Sequence, residues 1–292
     1  MVSRVTTSPP EGVAVVDKAA GMTSHDVVSR ARKVLGTRKI GHSGTLDPDA
    51  TGILLLGVGA ATRLLRFLTD LPKTYTAAFV LGTETSTLDS SGEVTATHEM
   101  SVTADQVRTA ATAFLGEIDQ VPPMVSAIRV DGKRLHELAR EGIEVEREPR
   151  RVTVHRYEVE PTDDPLVYRI EVECSSGTYV RSLAADLGTA LGGGAHLRDL
   201  RRTRIGSFGE AEAHPVEEAV VLPAREGLRD YPQVTVDDEL AALIANGRVL
   251  HPEQLDVAGT GPWAVSNAAG RLLAVYERTG DDRCKPAVVL PA

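Results

Sequence analysis

The stretch Gly41-His42-Ser43-Gly44-Thr45-Leu46-Asp47-Pro48-Asp49-Ala50-Thr51-Gly52 puts three glycines, a proline and three hydroxyl side chains into twelve residues. That composition describes a tightly turned, ordered loop. Before it, Ser24 is placed to cap a helix whose apolar positions Val27, Val28, Ala31, Val34 and Leu35 form one stripe, and Gly36 can end it. After it, Ile53–Val58 reads as a buried apolar strand. Pro48 restricts Asp47 to extended backbone, so the direction of this carboxylate is constrained, as catalysis requires. Other readings of the loop stay open. A phosphate-gripping glycine loop lacks the Gly-Lys-Ser/Thr ending and would precede a helix, whereas this loop precedes a strand. A metal site from His42, Asp47 and Asp49 lacks His-x-x-x-His or Cys-pair spacing. Asp47 could also serve only a structural Asx turn.

The remaining pattern is irregular. Strands are expected at Gly12–Lys18, Lys73–Leu81, 152–160 and 167–174. Helices are expected at Ala61–Phe67, at 103–115 behind Thr103, at Lys133–Glu141 and at Tyr179–Leu191, with a strand pair or strand within 197–213. No βαβ repeat emerges, so the expected class is α+β with a mixed, largely antiparallel sheet. Composition shifts near Pro223–Tyr231, giving an expected division into residues 1–225, with a loop-rich insert at about 121–151, and a small β-rich module at 232–292. The module should hold a helix at Asp237–Ala245 and strands at Trp263–Val265, Arg271–Tyr276 and Ala287–Leu290.

Charge gives a contrary signal. With 41 acidic and 32 basic residues among 292, the formal charge is −9, which by itself argues against a nucleic-acid partner. Its distribution is uneven. Residues 1–83 sum to +4, residues 84–120 to −6, residues 121–208 to zero and residues 209–292 to −7. Arg30, Arg32, Lys33, Arg38 and Lys39 lie in an acid-free segment, Val27 to Leu46. Further basic clusters are Arg147, Arg150 and Arg151, and Arg198, Arg201, Arg202 and Arg204. A polyanion feels the field within roughly 8 Å at physiological salt, so these clusters matter more than the total, although each also suits a solvated face. No apolar run approaches the ~20 residues that cross a bilayer, and no secretory leader is evident. Two distant cysteines, Cys174 and Cys284, exclude a disulfide scaffold and favour a reducing cytoplasm.

The loop with its following strand, GHSGTLDPDATGILLLGVG, resembles the catalytic motif of the bacterial tRNA pseudouridine-55 synthase (TruB) family, stand-alone relatives of the dyskerin-type enzymes. Five other segments agree in the family's order. They are GVAVVDKAAGMTSHDVV, KTYTAAFVLGTETSTLDSSGE, PPMVSAIRVDGKRLHELAREG, CSSGTYVRSLAADLG and GAHLRDLRRTRIGSF, spanning roughly residues 12–208. The resemblance implies the pseudouridine-synthase fold with a central catalytic cleft, a C-terminal PUA-like module that would touch the acceptor stem, and the T arm of tRNA as partner. The implied reaction cleaves the bond between uracil N1 and C1′ of uridine 55, turns the base and joins C5 to C1′. Neither metal nor cofactor is expected for this redox-neutral isomerisation.

On this resemblance Asp47 is the catalytic carboxylate, attacking C1′ or removing the 2′ proton. Arg181 pairs with it, and Tyr75 stacks on the uracil with a hydroxyl near C5. His42 helps flip or hold the nucleotide, Leu200 packs beside the base, and Tyr179 belongs to the binding set. Lys18 supports the loop bearing Tyr75 or the backbone. Lys133, Arg134 and Arg140 grip T-arm phosphates. Asp49 is not counted as a second acid. A monomer is expected. Two other function classes compete: a tRNA-binding folding helper whose modification is incidental, and a nucleotide-binding module that uses the glycine loop.

Overall fold

β-Branched residues make Gly12–Lys18 the first strand, β1, of the chain in the computed structural model, which describes residues 10–126, 128–130, 132–135, 138, 141–280 and 282–291. There follow α1 (Ser24–Val34), β2 (Ile40–His42), β3 (Thr51–Val58), a 3₁₀ turn at Gly59–Leu64 and α2 (Leu65–Asp70). Then come β4 (Lys73–Leu81), β5 (Thr83–Thr85), β6 (Val94–Thr97), α3 (Ala104–Thr112), β7 (Gly116–Gln120), β8 (Arg129–Val130) and β9 (Lys133–Arg134). The chain continues through β10 (Arg150–Pro161), β11 (Val167–Cys174), α4 (Val180–Ala190), β12 (Ala195–Ile205), β13 (Phe208–Gly209) and β14 (Val221–Leu222). The last elements are β15 (Gln233–Val236), α5 (Asp238–Ala245), α6 (Pro252–Leu255), β16 (Trp263–Asn267), β17 (Leu272–Arg278) and β18 (Cys284–Val289).

Two compact units emerge. The first contains residues up to Pro48, Gly52–Asp70 and residues from Gly206 on. In it β1 pairs antiparallel with β3 from Gly12↔Val58 to Lys18↔Gly52, β14 pairs with β1 and β2 with β3. Ile53, Leu54, Leu55 and Leu56 are all buried, so both faces of β3 are covered and the strand reads as a continuous apolar run. Leu54, Leu56 and Val58 pack with Ala14 and Val16 against Val27, Val28 and Ala31 of α1.

Within the same unit, β15–β18 form a four-stranded sheet whose core includes Val236, Ile244, Trp263, Val265 and Tyr276. The sequence indicated three strands there; β15 is a fourth, parallel to β16. Arg229, just before this sheet, stacks 3.9 Å from the ring of Phe208 and forks onto Glu212 at 2.6 and 2.7 Å. That hydrogen-bonded guanidinium holds the Glu212 carboxyl below the usual carboxylate range.

The second unit contains Asp49–Thr51 and Leu71–Ile205. Its strands run in the order β12-β4-β11-β10-β7, each pair antiparallel. Ala77, Phe79, Leu81, Ile170 and Val172 pack against Val107 and Ala111 of α3 and against Leu183, Ala184 and Leu187 of α4. Gly188 permits that packing, because a Cβ there would lie 2.6 Å from the Cβ of Ala195 on β12.

Three local expectations change. Thr23, not Ser24, caps α1 through a capping box with Asp26, because the Ser24 hydroxyl is buried and committed elsewhere. Lys133 and Arg134 form β9 against β8 instead of beginning a helix, since Gly132 (φ +83°) turns the chain just before them. The segment read as helix at Ala61–Phe67 is 3₁₀ up to Leu64 and α-helical only from Leu65. Among the described residues no helix is long and apolar enough to cross a membrane.

Cys174 and Cys284 are free and buried, and burial pushes the Cys174 thiol up to about 11. Both should resist a disulfide reagent in the folded protein at about pH 8 and react after unfolding; rapid labelling of either in the native protein would contradict this packing. The Arg229–Glu212 pair is partly exposed, so Arg229→Ala should cost about 1 kcal/mol in chemical denaturation at neutral pH. Because the folded Glu212 value lies below the unfolded one, the pair's contribution is complete above about pH 4.5 and disappears as pH falls through the folded value. The stability gap between wild type and Arg229→Ala should therefore narrow in acid.

Candidate active site

The twelve-residue loop belongs to the first unit up to Pro48 and is held on both sides of Asp47. Lys18 ends β1 opposite Gly52 and is only 1% exposed. Its ammonium donates to the carbonyls of Met22 at 2.6 Å, Pro48 at 2.9 Å and Ala19 at 3.0 Å. Three carbonyls give a buried ammonium the hydrogen bonds it would otherwise lose with water. One of them belongs to the residue directly after Asp47. On the other side, the buried Ser24 hydroxyl accepts from Leu46 N–H at 2.9 Å and donates to Leu46 O at 3.2 Å. Gly44 (φ +143°) and Gly52 (φ +101°) bend the loop where a side chain would strain it. Asp47 is half-buried between these anchors.

His42 lies at the end of β2, and its Nδ1 accepts from Gly44 N–H at 3.3 Å. The neutral ring then carries its proton on Nε2. Asp49 is exposed, and among the described residues no group of three His, Cys, Asp or Glu side chains is arranged to hold a metal.

In the second unit Tyr75, Tyr179, Arg181 and Leu200 lie on β4, at the N-terminus of α4 and on β12. Tyr75 is half-buried, pairs with Val172 and Arg202 in register and packs against the unit's core. Arg181 is 4% exposed. Its Nη1 donates to Thr87 O at 2.7 Å and stands 3.3 Å from Asp89 Oδ2, and its Nη2 donates to Val125 O at 2.9 Å.

Asp89 was not anticipated in this role. Its Oδ1 collects the hydroxyls of Thr87 and Ser91, each at 2.6 Å, and Ser91 N–H at 3.0 Å. The Thr-Leu-Asp-Ser-Ser-Gly turn chemistry was the available signal. The turn is also fixed to β12, where Leu197 N–H donates to Leu88 O and Ser90 N–H to Leu197 O.

Leu200 owes its direction to a bulge. Arg198 pairs with Ala78 and Arg201 with Thr76, so Asp199 and Leu200 together face Ala77. Asp199 takes φ +58°, and Leu200 consequently packs toward the core side with Ala77.

The basic clusters separate. Arg202 is 1% exposed and belongs to the interior, whereas Arg198 and Arg204 are exposed. Arg151 meets Glu117 and Asp119, Arg147 meets Glu144 and the Pro122 carbonyl, and Arg30 meets Glu217. Of the three cations expected to grip phosphate, Arg140 lies outside the described residues, and only the backbone of Lys133 and Arg134 is described.

Similarity to known proteins agrees with these motifs. Residues 32–180 match the model of the TruB family pseudouridylate synthase N-terminal domain, and residues 181–243 match the tRNA pseudouridylate synthase B C-terminal domain. Residues 231–291 match the tRNA pseudouridine synthase II C-terminal model. The chain is 46% identical to tRNA pseudouridine synthase B of Rhodococcus jostii (strain RHA1), covering 96% of this chain and 94% of the relative. It is 45% identical to the protein of the same name from Mycobacterium sp. (strain KMS), covering 96% of each. Among solved structures, a Cbf5-Nop10-Gar1 complex contains a chain with a TM-score of 0.75 and 26% identity, covering 96% of this chain and 85% of that one. With its mixed α+β pseudouridine-synthase fold and its small C-terminal sheet, the chain belongs to the tRNA pseudouridine synthase B (TruB) family.

Proposed function

We propose that the protein converts uridine 55 in the T loop of tRNA to pseudouridine, with the Asp47 carboxylate beginning the reaction. The observation that carries this reading is the double fastening of the loop: Lys18 holds the carbonyl of Pro48 and Ser24 holds both backbone groups of Leu46. Fixed on each side, Asp47 can meet a ribose carbon with little reorganisation, which is where positioning contributes most. Family membership supplies the substrate class: the relatives above are named tRNA pseudouridine synthases.

A T-loop uridine is stacked and must be turned out, at a cost of a few kcal/mol. Lys133, Arg134 and Arg140 supply phosphate contacts that offset this cost and make affinity salt-sensitive. His42 helps flip or hold the nucleotide, Tyr75 stacks on the base, and Tyr179 and Leu200 line its binding position. Arg181 keeps Asp47 ionised and oriented. Asp47 then attacks C1′ or takes the 2′ proton while the N1–C1′ bond breaks. The base turns, and C5 bonds to C1′ as Asp47 leaves that carbon or returns the 2′ proton; C5 then loses its proton with help from the Tyr75 hydroxyl while N1 gains one. Residues 1–225 act as the catalytic domain, and 232–292 as a PUA-like module toward the acceptor stem.

Incubation with unmodified tRNA followed by chemical mapping should place pseudouridine in the T loop. Product at another position would refute the substrate while sparing the chemistry. Asp47→Asn should abolish product yet retain tRNA binding; surviving turnover would remove Asp47 from its role, and ATP or NAD binding would favour a nucleotide module. Arg181→Lys keeps the charge but loses the planar fork, and should lower the single-turnover rate by about a hundredfold.

A further inference from the structure

Gln120 is the last residue of β7 and is 2% exposed. Its side-chain amide faces the backbone of Tyr179. Oε1 accepts from Tyr179 N–H at 2.7 Å, and Nε2 donates to Tyr179 O at 3.1 Å. Since the N–H can only donate and the carbonyl only accept, the amide orientation is determined. One primary amide thus meets both polar groups of one residue, as a neighbouring strand would.

Tyr179 is the N-cap of α4 and makes no side-chain capping bond of its own. Its carbonyl already accepts Leu183 N–H at 3.1 Å, so Gln120 uses the remaining lone pair and gives the Tyr179 N–H its acceptor. The next residues of the helix bind the same stretch of chain. Ser182 Oγ donates to Val121 O at 3.2 Å, and Arg181 Nη2 donates to Val125 O at 2.9 Å. The first turn of α4 is therefore fastened to residues 120–125, the arm along which β7 enters the insert.

We propose that Gln120 is a positioning residue that fixes the peptide of Tyr179, sets the direction in which Arg181 enters the reaction, and couples that direction to the outgoing arm of the RNA-gripping insert. This rests on the pseudouridine-synthase reading above. Gln120 reaches the chemistry only through Tyr179 and the helix turn that follows. Losing it should slow the reaction on bound tRNA more than it weakens binding, because the arm and the phosphate-gripping residues remain.

The test compares single-turnover rate and tRNA dissociation constant for wild type, Gln120→Met and Gln120→Glu. Methionine fills the space but leaves Tyr179 N–H without its acceptor. The rate of Gln120→Met should fall about thirtyfold while the dissociation constant stays within about threefold. Glutamate can still accept from Tyr179 N–H, but it offers a proton to the carbonyl only in its neutral form. Its deficit should be large at about pH 8.5 and shrink toward about pH 6, a slope the wild type lacks. A folded Gln120→Met of wild-type rate, a loss carried wholly by the dissociation constant, or a Gln120→Glu profile parallel to wild type would each overturn the proposal. If Gln120→Met does not fold, the Gln120→Glu profile decides. Wild-type product at the T loop in the same assay separates the two readings: without it the underlying function falls and this role with it, and with it the variants bear on Gln120 alone.

Discussion

Burial of the Lys18 ammonium is the constraint from which the Gly41–Gly52 loop takes its shape. A charged amine at 1% exposure is tolerable only if its hydrogen-bonding capacity is met, and the three carbonyls that meet it lie in two places, the Ala19–Met22 turn and Pro48. The same turn leads into the Thr23 cap of α1, so the cap, the turn and the loop are mutually dependent. Gly21 N–H donating to Pro48 O at 3.0 Å adds a second bond to that carbonyl. A loop so fastened resists drifting.

The acidic total misleads because much of the basic charge is either consumed internally or placed locally. Arg30, Arg151, Arg156 and Arg229 have carboxylate partners, and Arg202 is interior. Lys33, Arg38 and Lys39 are exposed, and none of the described ion pairs engages them. An RNA backbone passing this surface would meet a small number of uncompensated cations, not the average of the chain. In the function proposed above, affinity built in that way depends on shape, and non-specific binding to arbitrary RNA is expected to be weak.

Most of the strands and helices were legible because their signals are local: alternation on β4, a continuous apolar run on β3, a capping box at Thr103. The loop around Asp47 was legible for the same reason, since glycine and proline advertise turns. What escaped was set by distant partners. Ser24 looked like a cap until Leu46, twenty-two positions away, claimed its hydroxyl. Arg202 looked like part of a surface patch because no local pattern reveals that a bulged strand turns it inward. Gln120 and Asp89 carry no local signal of their partners, Tyr179 and Arg181, which lie 59 and 92 positions on.

The groups around position 181 explain why an arginine is suited there. A guanidinium offers five donors in one plane, enough to serve the turn at Thr87 and Asp89 and the arm at Val125 while directing further N–H bonds elsewhere. Lysine presents its three donors from one nitrogen, so it cannot reach the two groups through two separate nitrogens, as Nη1 and Nη2 do here. Asp89 contributes charge as well as geometry, because an ionised carboxylate offsets part of the cost of burying the guanidinium. Arg181 is thereby fixed from two sides, by a turn anchored on β12 and by the segment that follows β7. In the reaction proposed above, gripping RNA and orienting Arg181 become properties of one hydrogen-bonded assembly.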